Sequence, residues 1–203
     1  AATADILIQG EWIVAVGPGL DAAGAEVLHC AGLVALPGGI DAHVHLREPG
    51  AEHKEDFTTG TCAALAGGFT TVLDMPNTPV PTTTLEAFRA KAALAEAKAC
   101  CDVGLFFGAT PTNTDEAAKA TQAIGLKVYM GSSTGDLLVA DLADQLRVFE
   151  QYPADRMLAV HAEDEDAVRL FSTGERRPPI CAELSVSRAL ALARYTGRRL
   201  HIC

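Results

Sequence analysis

The rhythm of apolar and polar residues changes near residue 37. Before it, short apolar runs at 5–9, 12–16 and 27–36 read as β segments, punctuated by Gly10, Gly17, Pro18, Gly19, Gly24 and Gly32. After Pro37-Gly38-Gly39, compact apolar runs alternate with alanine-rich stretches of helical texture, the pattern of βα units laid on a parallel sheet. Six runs qualify as strands: 40–46, 70–75, 103–108, 126–130, 157–162 and 199–203. Between them, Thr83 with Glu86 three residues on forms a capping-box pattern, followed by Leu85, Phe88 and Leu94 at roughly helical spacing. Residues 136–152 and 182–195 read as longer amphipathic helices, the second entered after Pro178-Pro179 and closed by Gly197.

These elements predict an α/β fold: an incomplete (β/α)8 TIM barrel, with part of a small β-sandwich domain in residues 1–36 and the first six βα units in 37–203. A complete barrel takes about 250 residues, and about two thirds of that follows Gly39. The chain starts without Met in a strand-like stretch and stops inside an apolar run. The native sequence is therefore expected to continue at both ends, with the last barrel strands beyond Cys203.

Composition narrows the function. With 203 residues, 49% of them hydrophobic, the chain can bury a substantial core. A net charge of −10 and the lack of a clustered Lys/Arg surface argue against a nucleic-acid partner and for a small metabolite. Cysteines 30, 62, 100, 101, 181 and 203 are scattered without a Cys-x-x-Cys, as expected of reduced thiols in a cytoplasm. Cys62, beside Ala63 and Ala64 in a helical stretch, is expected in the core rather than as a nucleophile. No run of about 18 apolar residues offers a membrane span, and no signal-peptide layout opens the chain.

The chemistry gathers at predicted strand ends. His43 and His45 lie two apart at the end of the first barrel strand, on one face and about 6–7 Å apart at Cα. Two such imidazoles can close on one metal, or merely face solvent. His161 ends the fifth strand and His201 sits in the sixth. Alone, each would read as a satisfied core histidine; together they matter because the C-terminal strand ends of a parallel barrel share one rim, where active sites lie. Lys127 belongs to the fourth strand, and if it points inward, burial disfavours its charge and leaves a nucleophilic amine able to capture carbon dioxide. Arg47 follows His45 by two residues and is aimed at the same side, where its guanidinium can grip a carboxylate at two points, although a rim salt bridge with Glu48 or Glu52 would also suit it. Asn77, just past the second strand, can add a hydrogen bond.

Three other features read as structural. Gly131-Ser132-Ser133-Thr134-Gly135 resembles a phosphate loop but lacks its lysine, and a strand-to-helix turn needs such residues anyway. Glu163-Asp164-Glu165-Asp166 is expected to face solvent at a helix start. His29 and His53 have no metal-like neighbours.

The run Pro37-Gly38-Gly39-Ile40-Asp41-Ala42-His43-Val44-His45-Leu46-Arg47-Glu48-Pro49-Gly50, then Thr70-Thr71-Val72-Leu73-Asp74-Met75-Pro76-Asn77-Thr78, Lys127, His161-Ala162-Glu163-Asp164 and His201 resembles the lysine-bearing dihydroorotase branch of the amidohydrolase superfamily. The resemblance covers the chain from about residue 33. It implies Zn2+, two per subunit: one held by His43 and His45 with an aspartate from the eighth strand, a second held by His161 and His201, and a carboxylated Lys127 bridging them. That aspartate, which would also shuttle the proton, is expected beyond Cys203. It further implies that His45, Arg47 and Asn77 bind substrate, and that the reaction is reversible hydrolysis of the cyclic amide of dihydroorotate to N-carbamoyl-aspartate in pyrimidine synthesis.

The implied setting is a cytoplasmic homo-oligomer acting on a small molecule, in some forms alongside other pyrimidine-pathway enzymes, with no nucleic acid or membrane. Two alternatives stay open: an allantoinase or hydantoinase, whose families share the His-x-His and lysine but usually differ at the position of Arg47, and a non-catalytic dihydroorotase-like subunit.

Overall fold

The computed structural model describes residues 3–132, 137–174 and 176–203. The chain divides into two compact units, Ala1–Pro37 and Gly38–Cys203. In the first, β1 (Asp5–Gln9) and β2 (Trp12–Gly17) form an antiparallel pair. Gly10, at φ 62°, takes the left-handed conformation that the tight reversal between them requires. The Asp5 carboxylate accepts hydrogen bonds from the backbone of Gly19 (2.8 Å) and Leu20 (3.2 Å), closing the segment that leaves β2. The strand expected at 27–36 does not form. A strand needs a ladder partner; here Leu33 N donates to Cys30 O in a turn, and Val27, Leu28, Leu33, Val34 and Leu36 stay exposed.

The second unit is a parallel sheet of six strands in sequential order: β3 (Gly39–Val44), β4 (Phe69–Asp74), β5 (Asp102–Gly108), β6 (Gly125–Tyr129), β7 (Met157–His161) and β8 (Leu200–Ile202). Each predicted barrel strand is present, within a few residues of its expected bounds. Sequential parallel order is that of consecutive units of a (β/α)8 barrel. Side-chain alternation sorts the two faces. Leu126 and Val128 of β6, Leu158 and Val160 of β7 and Phe107 of β5 join the main core, while Phe106, Ala159 and Met75 form a separate small cluster. Lys127 alternates with the apolar set of β6, and His161 follows Val160 at the end of β7.

Helices α1 (Phe57–Ala66), α2 (Leu85–Lys98), α3 (Thr114–Lys119), α4 (Leu142–Gln151), α5 (Glu165–Phe171) and α6 (Ile180–Thr196) occupy the connections. Among the described residues, no helix is long and apolar enough to cross a membrane. Several local expectations shift. The cap of α2 is Thr84, which accepts from Ala87 N at 3.1 Å, one residue later than the Thr83–Glu86 pattern. The expected helix over 136–152 shortens to α4: Asp136 lies outside the described residues, and Leu137 and Val139 are buried while Val139 N bonds Tyr129 O at 2.8 Å, so this stretch extends along β6 before Asp141 caps the helix. Helix α6 ends as expected at Gly197, which adopts the left-handed cap at φ 67°. Cys62 is exposed, not core, because α1 buries its Phe57 and Thr61 side; its Sγ lies 3.3 Å from that of Cys100.

The capping box of α1 yields a pH-dependent prediction. Asp56 accepts from Thr59 N at 2.7 Å, and that hydrogen bond holds its carboxyl below the usual aspartate range. A depressed folded-state pKa contributes stability that is present above the ordinary aspartate value of about 3.9 and is lost as pH falls through the lower folded value. Asp56→Ala is therefore expected to lower the urea midpoint at pH 7, and the gap to wild type should narrow at pH 3. Asp56→Asn, which keeps an acceptor, should lose much less.

Candidate metal centre

One cavity, of about 280 Å3, opens among the C-terminal strand ends and is lined by His43, His45, Arg47, Asn77, Lys127, Tyr129 and His161. Strand geometry explains the grouping. His43 and His45 straddle the end of β3, Lys127 and Tyr129 share one face of β6, and His161 is the last residue of β7. Past His45 the backbone turns sharply: Arg47 has φ 63°, a left-handed conformation rarely adopted by a residue with a side chain. Hydrogen bonds on both sides hold that turn, from Glu48 N to Leu46 O (2.8 Å) and from Ala51 N to Arg47 O (3.1 Å). Strain retained at such a rim is the kind found where a side chain must be aimed at a ligand.

The two strand-end imidazoles converge, with Nε2 atoms 3.2 Å apart. Burial, with the charges of Lys127, His45 and His201, lowers the His43 pKa to about 4. Burial and the Arg47 charge also lower that of His45, against a hydrogen bond from His45 to Asn77 and the charge of Asp74. Both rings are thus neutral at pH 7, as metal ligands must be. His161 is lowered too, chiefly by burial, although its Nε2 lies 3.3 Å from Glu163 Oε2. Glu163 in turn pairs with Arg177. Burial raises the Tyr129 phenol well above its ordinary value, so it remains a hydrogen-bond donor.

Lys127 is fully buried, and its Nζ lies 5.2 Å from the Tyr129 ring centroid. Burial pushes its ammonium pKa down; Cys203 is near enough to favour the charge, but no hydrogen bond to Nζ has acceptable geometry. Two buried polar atoms of this cavity, Lys127 Nζ and Tyr129 Oη, lack a hydrogen-bond partner of acceptable geometry among the described residues, while His161 Nε2 faces Glu163 Oε2 at 3.3 Å. Unsatisfied buried groups are costly and rare, and a cluster of them marks a place prepared for a ligand. The donors fit a zinc-type ion, with borderline nitrogen ligands held neutral. Among the described residues, no three His, Cys, Asp or Glu side chains close on a common point. A third donor beside His43 and His45 is therefore needed. Carboxylation of Lys127 would supply it, turning an unpartnered amine into an anionic oxygen ligand.

Of the residues singled out from sequence, His43, His45, Arg47, Asn77, Lys127 and His161 meet in the cavity. His201 pairs with Ala159 on the adjoining strand and is not among the lining residues, although its charge is felt at His43. Arg47 forms no ion pair with Glu48 or Glu52; Glu48 pairs instead with Lys98 at 2.5 Å. Tyr129 was not anticipated, yet its spacing of two from Lys127 on a strand would have placed it. The acidic run is not solvent-facing throughout: Asp164 and Glu165 are buried, Asp164 paired with Arg188 (2.6 Å) and Glu165 with Arg169 (3.2 Å). Glu165 also accepts from Ser132 N at 2.7 Å. The start of the glycine–serine turn thus holds the protein's own carboxylate, and residues 133–135 of that turn lie outside the described residues. At its head, a Cβ on Gly131 would meet Glu163 O at 2.5 Å, so the glycine permits the β6 and β7 rims to approach.

Known proteins share the sequence pattern and the fold of this chain. The pattern of the amidohydrolase family matches residues 34–202. A dihydroorotase from Methanothermobacter thermautotrophicus is 37% identical, over 99% of this chain and 48% of its own length. An allantoinase from Deinococcus radiodurans is also 37% identical, over 98% of this chain and 48% of its own length. The solved L-hydantoinase (dihydropyrimidinase) from Arthrobacter aurescens superposes with a TM-score of 0.87 at 28% identity, covering 98% of this chain and 48% of that one. The chain spans about half the length of the curated relatives it matches.

Proposed function

The chain belongs to the amidohydrolase family, and from that premise we propose that it is the metal-binding half of a cyclic amidohydrolase whose substrate is dihydroorotate. The observation that carries the substrate is Arg47, which lines the same cavity as His43, His45 and Lys127 and has no ion-pair partner among the described residues. A guanidinium beside two neutral imidazoles is matched to a substrate carboxylate. Dihydroorotate carries one, whereas allantoin and hydantoin rings do not.

His43, His45 and Lys127, if carboxylated, would hold one Zn2+, and His161 and His201, with the same lysine, would hold a second. Bound zinc supplies an activated water at neutral pH and polarises the amide carbonyl. Arg47 grips the substrate carboxylate and Asn77 adds a hydrogen bond, which fixes the ring relative to the strand ends. Tyr129, kept protonated by burial, donates to a carbonyl oxygen that gains negative charge. Water adds to the ring carbonyl carbon, the C–N bond breaks, and the leaving nitrogen takes the proton, giving N-carbamoyl-aspartate. The resemblance assigns the proton transfer to an aspartate of an eighth barrel strand. The same reading assigns residues 1–36 to a small β-sandwich and residues 37–203 to the first six barrel units. It also takes the enzyme to be a cytoplasmic homo-oligomer of pyrimidine synthesis.

An allantoinase or hydantoinase is the second reading, favoured by the allantoinase relative of equal identity and by the hydantoinase superposition. Parallel assays of the full-length protein with dihydroorotate and allantoin separate the two, and turnover of allantoin alone would overturn the first. Arg47→Met sharpens the test. Loss of a charge-assisted contact worth about 1.5–3 kcal/mol predicts a KM for dihydroorotate raised roughly 10- to 150-fold, with kcat less affected.

A further inference from the structure

The backbone around His45 is not held by the sheet ladder alone. Strands β3 and β4 pair regularly at Ile40↔Thr71 and Asp41↔Val72, and then the register breaks until Val44↔Asp74. Past that break, two bonds bracket His45: Met75 N donates to Val44 O at 3.0 Å, and Leu46 N donates to Asp74 Oδ1 at 2.8 Å. Both anchoring residues are in turn held by one side chain. Lys91 Nζ, from α2, lies 2.5 Å from Asp74 Oδ2 and donates to Met75 O at 2.9 Å. The Asp74 and Lys91 side chains are 0% and 1% exposed.

We propose that the buried Asp74–Lys91 pair positions His45 for metal binding, with Lys91 reaching from the helix layer to lock the two residues that hold His45's neighbours. The proposal rests on the metal reading of the preceding subsection. Stability alone does not call for this arrangement: apolar side chains of similar volume commonly replace a buried ion pair without loss, because desolvation cancels much of the attraction. What apolar replacements lack is an acceptor for Leu46 N–H and a donor for Met75 C=O. Groups that orient a metal ligand in this way typically contribute 10- to 100-fold in metal affinity. Asp74 and Lys91 are therefore positioning residues, acting through the backbone on either side of His45.

The test measures zinc affinity of the full-length protein by chelator competition, together with melting temperature of the zinc-free form and amide exchange at Leu46. For Asp74→Leu/Lys91→Met, the proposal expects melting within a few degrees of wild type, zinc bound about 10- to 100-fold more weakly and Leu46 exchange accelerated. Asp74→Asn/Lys91→Met, which keeps the acceptor without the charges, should bind zinc within about threefold of wild type. Lys91→Met alone strands the Asp74 carboxylate, so it should both melt earlier and bind zinc about tenfold more weakly; it decides the matter if the leucine-bearing chain does not fold. Wild-type zinc affinity in both Asp74→Leu/Lys91→Met and Lys91→Met overturns the proposal while leaving the metal reading intact. A wild-type protein that binds no zinc overturns the metal reading itself.

Discussion

Lys127→Met is expected to raise the melting temperature of the metal-free protein while abolishing metal uptake and hydrolysis. These opposite signs follow from one environment. Lys127 is fully buried with no hydrogen-bond partner of acceptable geometry for Nζ among the described residues, and an unsatisfied buried polar group costs about 1–3 kcal/mol. Methionine has similar volume and removes that cost, so the empty fold gains a few degrees. The same change removes the amine that lines the cavity beside His43, His45 and His161, so on the proposed reading the site should lose metal and turnover. Differential scanning calorimetry of chelated protein, metal analysis and a steady-state assay check all three. A lysine kept for folding would give the reverse: lower stability and retained metal.

His43→Ala is the second large effect. With Nε2 atoms 3.2 Å apart, His43 and His45 form the one pair of imidazoles that meets closely in the cavity among the described residues. Losing half of it removes carbonyl polarisation and water activation together. Those contribute several kcal/mol, so kcat/KM should fall at least about 10^3-fold. His43 is exposed and lies outside the main core, so truncating it leaves that core untouched. Circular dichroism and melting temperature should therefore stay near wild type while metal content drops. Collapse of the fold in His43→Ala would mean that the histidine is structural.

Much of this centre was legible because strands repeat with a period of two. Leu126, Val128, Leu158 and Val160 mark the core-facing positions of β6 and β7, which leaves Lys127 and, at the strand end, His161 to face the cavity. Arg47 and Asn77 were found by the same counting from strand ends. What escaped was nonlocal. No spacing announces that Lys91, on a helix, will pair with Asp74 on a strand. The acidic run after His161 has the composition of a solvated helix start, but Arg188 arrives from α6 to pair with its Asp164, while Glu165 pairs one turn on with Arg169 of the same helix. The run at 27–36 failed as a strand for a related reason: its composition is right, and its pairing depends on a partner that composition does not specify.

The central claim is that the strand-end histidines and Lys127 hold metal. Anomalous diffraction at the zinc edge, from crystals of the full-length protein grown with Zn2+ and bicarbonate, tests it most directly. The account predicts a strong peak in contact with His43 and His45, a second beside His161, and density extending from Lys127 Nζ as a carbamate between them. Peaks confined to surface histidines such as His29 and His53, with an unmodified Lys127, would contradict it.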